Sequence, residues 1–309
     1  MPFVQITHTT EYHYARPVRF TPHRAMLRPR DSHDLRLLDA TLTLTPPAAA
    51  LRWAHDVFGN SVCHIDFAEA ESDVLRIISR LAAEHYPAAA PDLQVLLDPV
   101  AQTFPFSYAA EEFPDIARSL ERHYPDPDRE IDRWARGFLN PHGRTSTAAL
   151  LVSMTRAIKS DFRYEARETV GTNSPGQTLA TRSGACRDFA LLMMEACRSL
   201  GMATRFVSGY LYEEALVDSV EPVVGGGATH AWVDVYLPGA GWVEFDPTNG
   251  LIAGRNLIRV CVARTPEQAV PLSGGYLGEA GDFMSMNVDV RVEVGRKDAA
   301  APILAPVPA

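Results

Sequence analysis

The sequence predicts an α+β protein: an N-terminal, mostly antiparallel β unit, then a core in which one helix packs on an antiparallel sheet. Three observations carry this expectation. Residues 35–45 (LRLLDATLTLT) alternate apolar and polar residues, the period-two pattern of a strand with one buried face. Residues 186–200 repeat at helical spacing instead, with Phe189, Leu192, Met193, Ala196, Cys197 and Leu200 on one stripe and Gly201 as the stop. Extended runs at 204–212, 230–237, 242–247 and 257–263 then supply a sheet for that stripe to cover.

Taken in order, residues 3–14 are rich in β-branched and aromatic side chains and open the β unit, placed at 1–85. Residues 51–67 read as two strands joined at Phe58-Gly59-Asn60, a turn-like break. Residues 86–144 shift to Pro, Ala and scattered acids, which suits a connector with short helices, one of them at 129–139. Residues 145–295 are expected to form the core and a C-terminal β extension. The first core helix, 145–160, has Thr145 or Ser146 as its N-cap, because a hydroxyl there accepts from a free N–H of the first turn. The last extended run, 284–294, can join either unit, and 296–309 reads as a disordered tail.

With 309 residues, 46% apolar and 22% charged, the composition is that of a soluble globular protein. The net charge of −9 argues against nucleic-acid and anionic-membrane partners, which demand a basic surface. No apolar run is long enough to span a bilayer, and MPFVQITHTTEYHYARPVRF lacks the apolar region of a signal peptide, so the expected location is the cytoplasm. Cys63, Cys186, Cys197 and Cys261 show no C-x-x-C spacing, so neither a zinc site nor a disulfide framework is expected, and no cofactor.

Cys186 differs from the other three. The apolar stripe, projected backward, sets it in the first turn of its helix, entered through Ser183 and Gly184. The free N–H groups and positive dipole end there favour a thiolate, and the Cys186 N–H is a natural oxyanion donor. Arg187 adds to this if it points at the sulfur. Cys197 lies mid-stripe, and Cys63 and Cys261 lie inside strand-like runs, where a buried small hydrophobe is the expected role.

In HAWVDVYL the strand period puts His230, Trp232, Asp234 and Tyr236 on one face and the valines on the other. The valine face belongs in the core, so His230 is expected on a more polar side that suits a cleft, beside an indole that shields it. In the next run Trp242, Glu244 and Asp246 share a face. Residues directly opposed across a ladder point the same way, so His230 and Asp246 meet only if opposed numbers have an even sum. A regular four-residue loop at 238–241 would pair 237 with 242 and place Asp246 behind the sheet. Meeting therefore requires an odd-length loop or a bulge, for which Gly239 or Gly241 supplies a left-handed residue. Asp246 has a second possible role, an Asx-type turn in DPTNG, and Asp234 and Glu244 are rival partners for His230 or salt-bridge formers on a solvated sheet face.

With these motifs assembled, the chain resembles the bacterial transglutaminase-like proteins, a branch of the papain-like cysteine enzymes. EYHYARPVRFTPHRAMLRPR and DVFGNSV resemble the β region that precedes the core in that branch, while SGACRDFA, ATRFVSGYLY, THAWVDVYLPGAGWVEFDPTNG and VPLSGGYLG resemble the core and its extension. The resemblance implies a papain/transglutaminase-like core with Cys186 as nucleophile, His230 as general base and Asp246 as the residue that orients the imidazole. It implies a thiol-dependent acyl transfer on amide or peptide bonds of a protein or peptide substrate. Hydrolysis is expected first, because water is always available. Transfer to an amine is the alternative, and a peptide-binding module without turnover is an alternative of another class. Tyr164 and Gln177 are candidates for a second oxyanion donor. The acidic loop 213–222 lacks the ligand spacing of a calcium site, so no metal is expected, and glycines 225–227 are a candidate hinge for it.

Overall fold

In a computed structural model the protein is described over residues 3–86, 92–167, 171–212, 228–252 and 256–295. The tail at 296–309, the acidic loop 213–222 and the glycine hinge 225–227 lie outside these residues.

Long strands come first. β1 (Phe3–Phe20), β2 (His23–Arg28), β3 (Leu35–Thr45), β4 (Ala50–His55), β5 (Ser61–Asp66) and β6 (Glu71–His85) divide between two antiparallel sheets, β6 lying between β1 and β3 in one and β5 between β2 and β4 in the other. Alternate side chains of both sheets, among them Tyr14, Phe20, Leu27, Ile65, Leu75 and Ile77, meet in a buried cluster. The β3 run is the one read from its alternation, and β4 and β5 are joined through Phe58-Gly59-Asn60.

Next come α1 (Leu93–Leu96), β7 (Thr103–Phe104), α2 (Phe113–Leu120), α3 (Glu130–Arg136), β8 (Thr145–Ser146) and α4 (Thr147–Asp161). Ser146 is the α4 cap, its hydroxyl accepting from the Ala149 N–H at 3.2 Å. The connector expected at 86–144 is more than a linker. Leu93, Leu97, Ala101, Ile131 and Ala135 are buried in the same cluster as the central helix. These apolar residues are spread among prolines and acids, so no period reveals them, and short helices gather them onto one surface.

The rest of the chain adds β9 (Arg163–Tyr164), α5 (Pro175–Thr181), β10 (Ser183–Gly184), α6 (Cys186–Ser199), β11 (Thr204–Leu211), β12 (His230–Leu237), β13 (Gly241–Asp246), β14 (Leu251–Ile252) and β15 (Leu257–Ala263). The central sheet runs β14-β13-β12-β11-β15, antiparallel throughout. The stripe of α6 packs on a face made by Phe206, Ala231, Val233, Val235, Phe245 and Cys261. The helix is not amphipathic in place, however. Ala190, Leu191, Met194 and Glu195 are also fully buried, because α3, α4 and α5 cover the far side. Glu195 is tolerated there through Arg198 (3.1 Å) and Arg122 (3.4 Å).

The C-terminal strands β16 (Leu272–Ser273), β17 (Tyr276–Leu277) and β18 (Phe283–Gly295) return to the N-terminal sheets, β16 pairing with β2 and both β17 and β18 with β1. The last extended run, which could join either unit, thus pairs with the N-terminal one. The register explains the choice: Val4, Ile6 and His8 lie opposite Val294, Val292 and Val290, so period-two apolar faces coincide. β18 also covers an edge that an 18-residue strand would otherwise leave open. The β unit docks on the outer side of β11 and β15. His8 Nδ1 is hydrogen-bonded with Tyr210 Oη at 3.0 Å and His85 Nδ1 with Tyr212 Oη at 2.8 Å, and Asn60 brackets the Val262 peptide at 2.7 and 2.9 Å.

Candidate active site

Cys186 is the first residue of α6. The chain reaches it through β10, which runs parallel to β9 with Gly184 opposite Tyr164. Ala185 is extended (φ −87°, ψ 172°), and the helix begins at the next residue. Ala185 offers its carbonyl to the N–H groups of Asp188 (2.9 Å) and Phe189 (3.1 Å), whereas no backbone acceptor among the described residues takes the Cys186 N–H. Cys186 is partly exposed, and Cys63, Cys197 and Cys261 are buried. Burial pushes the Cys197 and Cys261 thiols up to about 12 and raises that of Cys63. The Arg187 guanidinium donates to the Arg167 carbonyl at 3.0 Å.

His230 opens β12 and Asp246 closes β13. Leu237 pairs with Gly241 and Val233 with Phe245, so the loop is the three residues 238–240. This odd length gives even sums and brings both side chains to one face. Gly239 and Gly241 supply the left-handed residues (φ +88° and +73°), and Ala240 N–H closes the turn on Leu237 O at 3.0 Å. His230 Nε2 donates to Asp246 Oδ2 at 2.8 Å, with both side chains fully buried. The Asx-type turn forms as well. Asp246 Oδ1 accepts from the N–H groups of Thr248 (2.9 Å) and Asn249 (3.3 Å), and Asn249 Nδ2 adds a bond to Oδ2 at 2.8 Å. The two roles weighed for this aspartate use different oxygens and coexist.

Burial alone would neutralise the imidazole. The charge and hydrogen bond of Asp246, then those of Cys186, outweigh it and push His230 up to about 10. Asp246 is held below the usual carboxylate range: burial opposes its charge, but His230, Asn249 and the Thr248 N–H overcome that. With Nε2 engaged, Nδ1 is the nitrogen left for sulfur. It is buried without a hydrogen bond of conventional geometry among the described residues, and Cys186 is among the groups that raise the imidazole. Trp232 stacks beside the ring, 6.1 Å between centroids. Of the two upstream candidates, Tyr164 is in electrostatic contact with Cys186 and Asp246, its hydroxyl pushed up to about 12 first by burial and then by these two groups. The described contacts do not bring Gln177 to the sulfur; it lies on α5, its N–H capped by Ser174 at 3.2 Å.

The face expected to be polar and open is closed. His230, Trp232 and Asp234 are all buried, Trp232 in a cluster with Val207, Leu211, Leu257 and Val262 against which Phe58 of the β unit packs. Neither rival carboxylate reaches His230: Asp234 pairs with Arg205 at 2.8 Å and Glu244 with Arg259 at 3.2 Å, and Arg259 also reaches Asp34 of the β unit at 3.6 Å. Three supporting residues escape sequence reading. Asn249 braces Asp246, and Asp188 with Arg167 braces the entry to α6. An acid three places into a helix is a legible capping signal; its arginine partner is not.

Among the described residues no group of three or more His, Cys, Asp or Glu is placed to hold a metal, and no helix is long and apolar enough to cross a membrane. Residues 134–247 match the transglutaminase-like superfamily and residues 4–84 the bacterial transglutaminase-like N-terminal region. An uncharacterized protein of Mycobacterium tuberculosis is 27% identical over 297 residues, covering 93% of this chain and 91% of its own length. A protein-glutamine gamma-glutamyltransferase of Pseudomonas aeruginosa is 32% identical over 100 residues, which is 32% of this chain and 14% of that protein. A solved structure from Cytophaga hutchinsonii, described provisionally as a cysteine protease, superposes with a TM-score of 0.67 at 19% identity. It covers 94% of this chain and 90% of its own, a likeness of fold.

Proposed function

The chain is a transglutaminase-like protein with the bacterial transglutaminase-like N-terminal region, and on that premise we propose that it is a thiol-dependent acyl-transfer enzyme using Cys186, His230 and Asp246. One observation carries the reading: the Asp246 bond engages Nε2, which leaves Nδ1 for the cysteine at the head of α6, a group that also raises the imidazole. The sulfur, as thiolate, attacks the carbonyl carbon of an amide. The C–N bond breaks, the departing nitrogen takes the Nδ1 proton, and a thioester remains. The Cys186 N–H faces the developing oxyanion. Water then restores the thiol and releases an acid, while a primary amine would yield a new amide.

Hydrolysis of a protein or peptide substrate is the first reading, since water needs no site of its own. Amine transfer is the second, favoured by the local likeness to the glutamyltransferase. Four free thiols support a reducing compartment, the cytoplasm. Iodoacetamide labelling tests the chemistry. Rapid alkylation of Cys186 at neutral pH, lost in His230→Ala, supports it; labelling no faster than that of Cys63 sinks it in favour of a binding module. Incubation with a casein-like protein and a labelled primary amine then separates fragments from amine incorporation.

A further inference from the structure

Asp188 lies in the first turn of α6, two residues after Cys186, and its side chain is fully buried. An ionised carboxylate in that position is costly unless donors surround it. Here both oxygens are engaged. Oδ2 accepts from the Ala185 N–H at 2.9 Å, the peptide immediately before the cysteine. Oδ1 accepts from the Asn173 N–H at 2.7 Å and from the Arg167 guanidinium at 2.9 Å.

The arginine lies three residues beyond β9 (Arg163–Tyr164), which pairs with β10 just ahead of the cysteine. Arg163 N–H donates to Arg182 O at 2.8 Å and Glu165 N–H to Gly184 O at 2.9 Å, which lays residues 163–165 along the entry to α6. The Arg187 guanidinium holds the Arg167 carbonyl, so the two segments are tied from both sides of Cys186. The glycine of SGAC is part of the same arrangement. A Cβ at Gly184 would lie 2.9 Å from Asp188 Cβ and 3.1 Å from its Oδ2, so any larger residue displaces the carboxylate.

We propose that Asp188, clamped by Arg167, is a positioning residue for the nucleophile: by holding the Ala185 N–H and the 163–167 segment it aims Cys186 at His230. This rests on the Cys–His reading above. Asp188 acts through the peptide rather than on substrate, and its salt bridge to Arg167 leaves little net charge beside the sulfur.

The pH profile of Cys186 alkylation by iodoacetamide tests this without knowledge of the substrate. Asp188→Asn and Arg167→Met are each expected to slow alkylation at neutral pH about tenfold, by misplacing the thiol relative to the imidazole, and to move the half-maximal pH upward. These substitutions remove charges of opposite sign. Shifts of half-maximal pH in opposite directions would therefore overturn the proposal in favour of a charge effect. Unchanged profiles in variants that melt at lower temperature would overturn it in favour of a purely structural bond. Arg167→Met keeps the bond to Ala185, so it serves if Asp188→Asn does not fold. His230→Ala is measured alongside. Wild-type labelling indifferent to His230 removes the Cys–His reading itself, whereas His230-dependent labelling with unchanged Asp188 and Arg167 profiles removes only the positioning role.

Discussion

The two ends of α6 carry the same side chain in opposite circumstances. Cys186, at the first residue, is partly exposed, has a backbone N–H with no backbone acceptor among the described residues, and raises His230. Cys197, eleven residues on, is sealed among apolar side chains, and burial drives its thiol up to about 12. The difference is positional. A helix start presents unpaired N–H groups and the positive dipole end, whereas a position in the last turn, buried all around, presents neither. What a cysteine can do in this protein is decided by where its helix begins.

The largest effect expected from breaking the contrast is on turnover. Cys186→Ser should lower turnover by about a thousandfold or more, since nucleophile and base act as a unit. Single-turnover kinetics on a cleaved or amine-labelled protein would check this. Asp246→Asn should cost roughly a hundredfold or more, because an amide at Oδ2 no longer fixes the imidazole in the needed tautomer. The same variant should move the alkaline limb of the pH–rate profile downward, since Asp246 is what raises His230.

Folding stability should respond to pH in a definite direction. His230, raised from 6.5 to about 10, contributes stability that is fully present below about 6.5 and is lost as pH rises through 10. Asp246, held low, contributes stability present at neutral pH and lost as the medium falls through its depressed value. Urea titrations across pH should therefore show both flanks, and His230→Ala should flatten both. The smallest effect is at the far end of the helix. Cys197→Ser places a hydroxyl in an apolar site and should cost about 1–3 kcal/mol by denaturant melting while leaving turnover per folded molecule unchanged. Loss of turnover there would undo the distinction between the two ends.

Much of this arrangement was legible. The alternation of β3, the apolar stripe of α6 and the valine face of β12 appear in place because each is a local period set by backbone geometry, and the same stripe put Cys186 at a helix start. Closure of the other sides was not legible. The sheet face expected to be open is buried, with Phe58 of the β unit packed against the Trp232 cluster, and α3, α4 and α5 cover the far side of α6, through contacts between residues too distant or too scattered to leave a period. The Arg167 partner of Asp188 is of the same kind, twenty-one residues away along the chain.

Sequence by itself determined which side chains share a face within each strand, and so the condition under which His230 and Asp246 meet. Only the tertiary structure decided that the condition is satisfied. PGAG accommodates a loop of three residues or four, and with a side-chain period of two that one residue inverts every side chain of β13. The three-residue loop is fixed by packing: it leaves Val243 and Phe245 against α6 and Asp246 against His230, and a four-residue loop would exchange them.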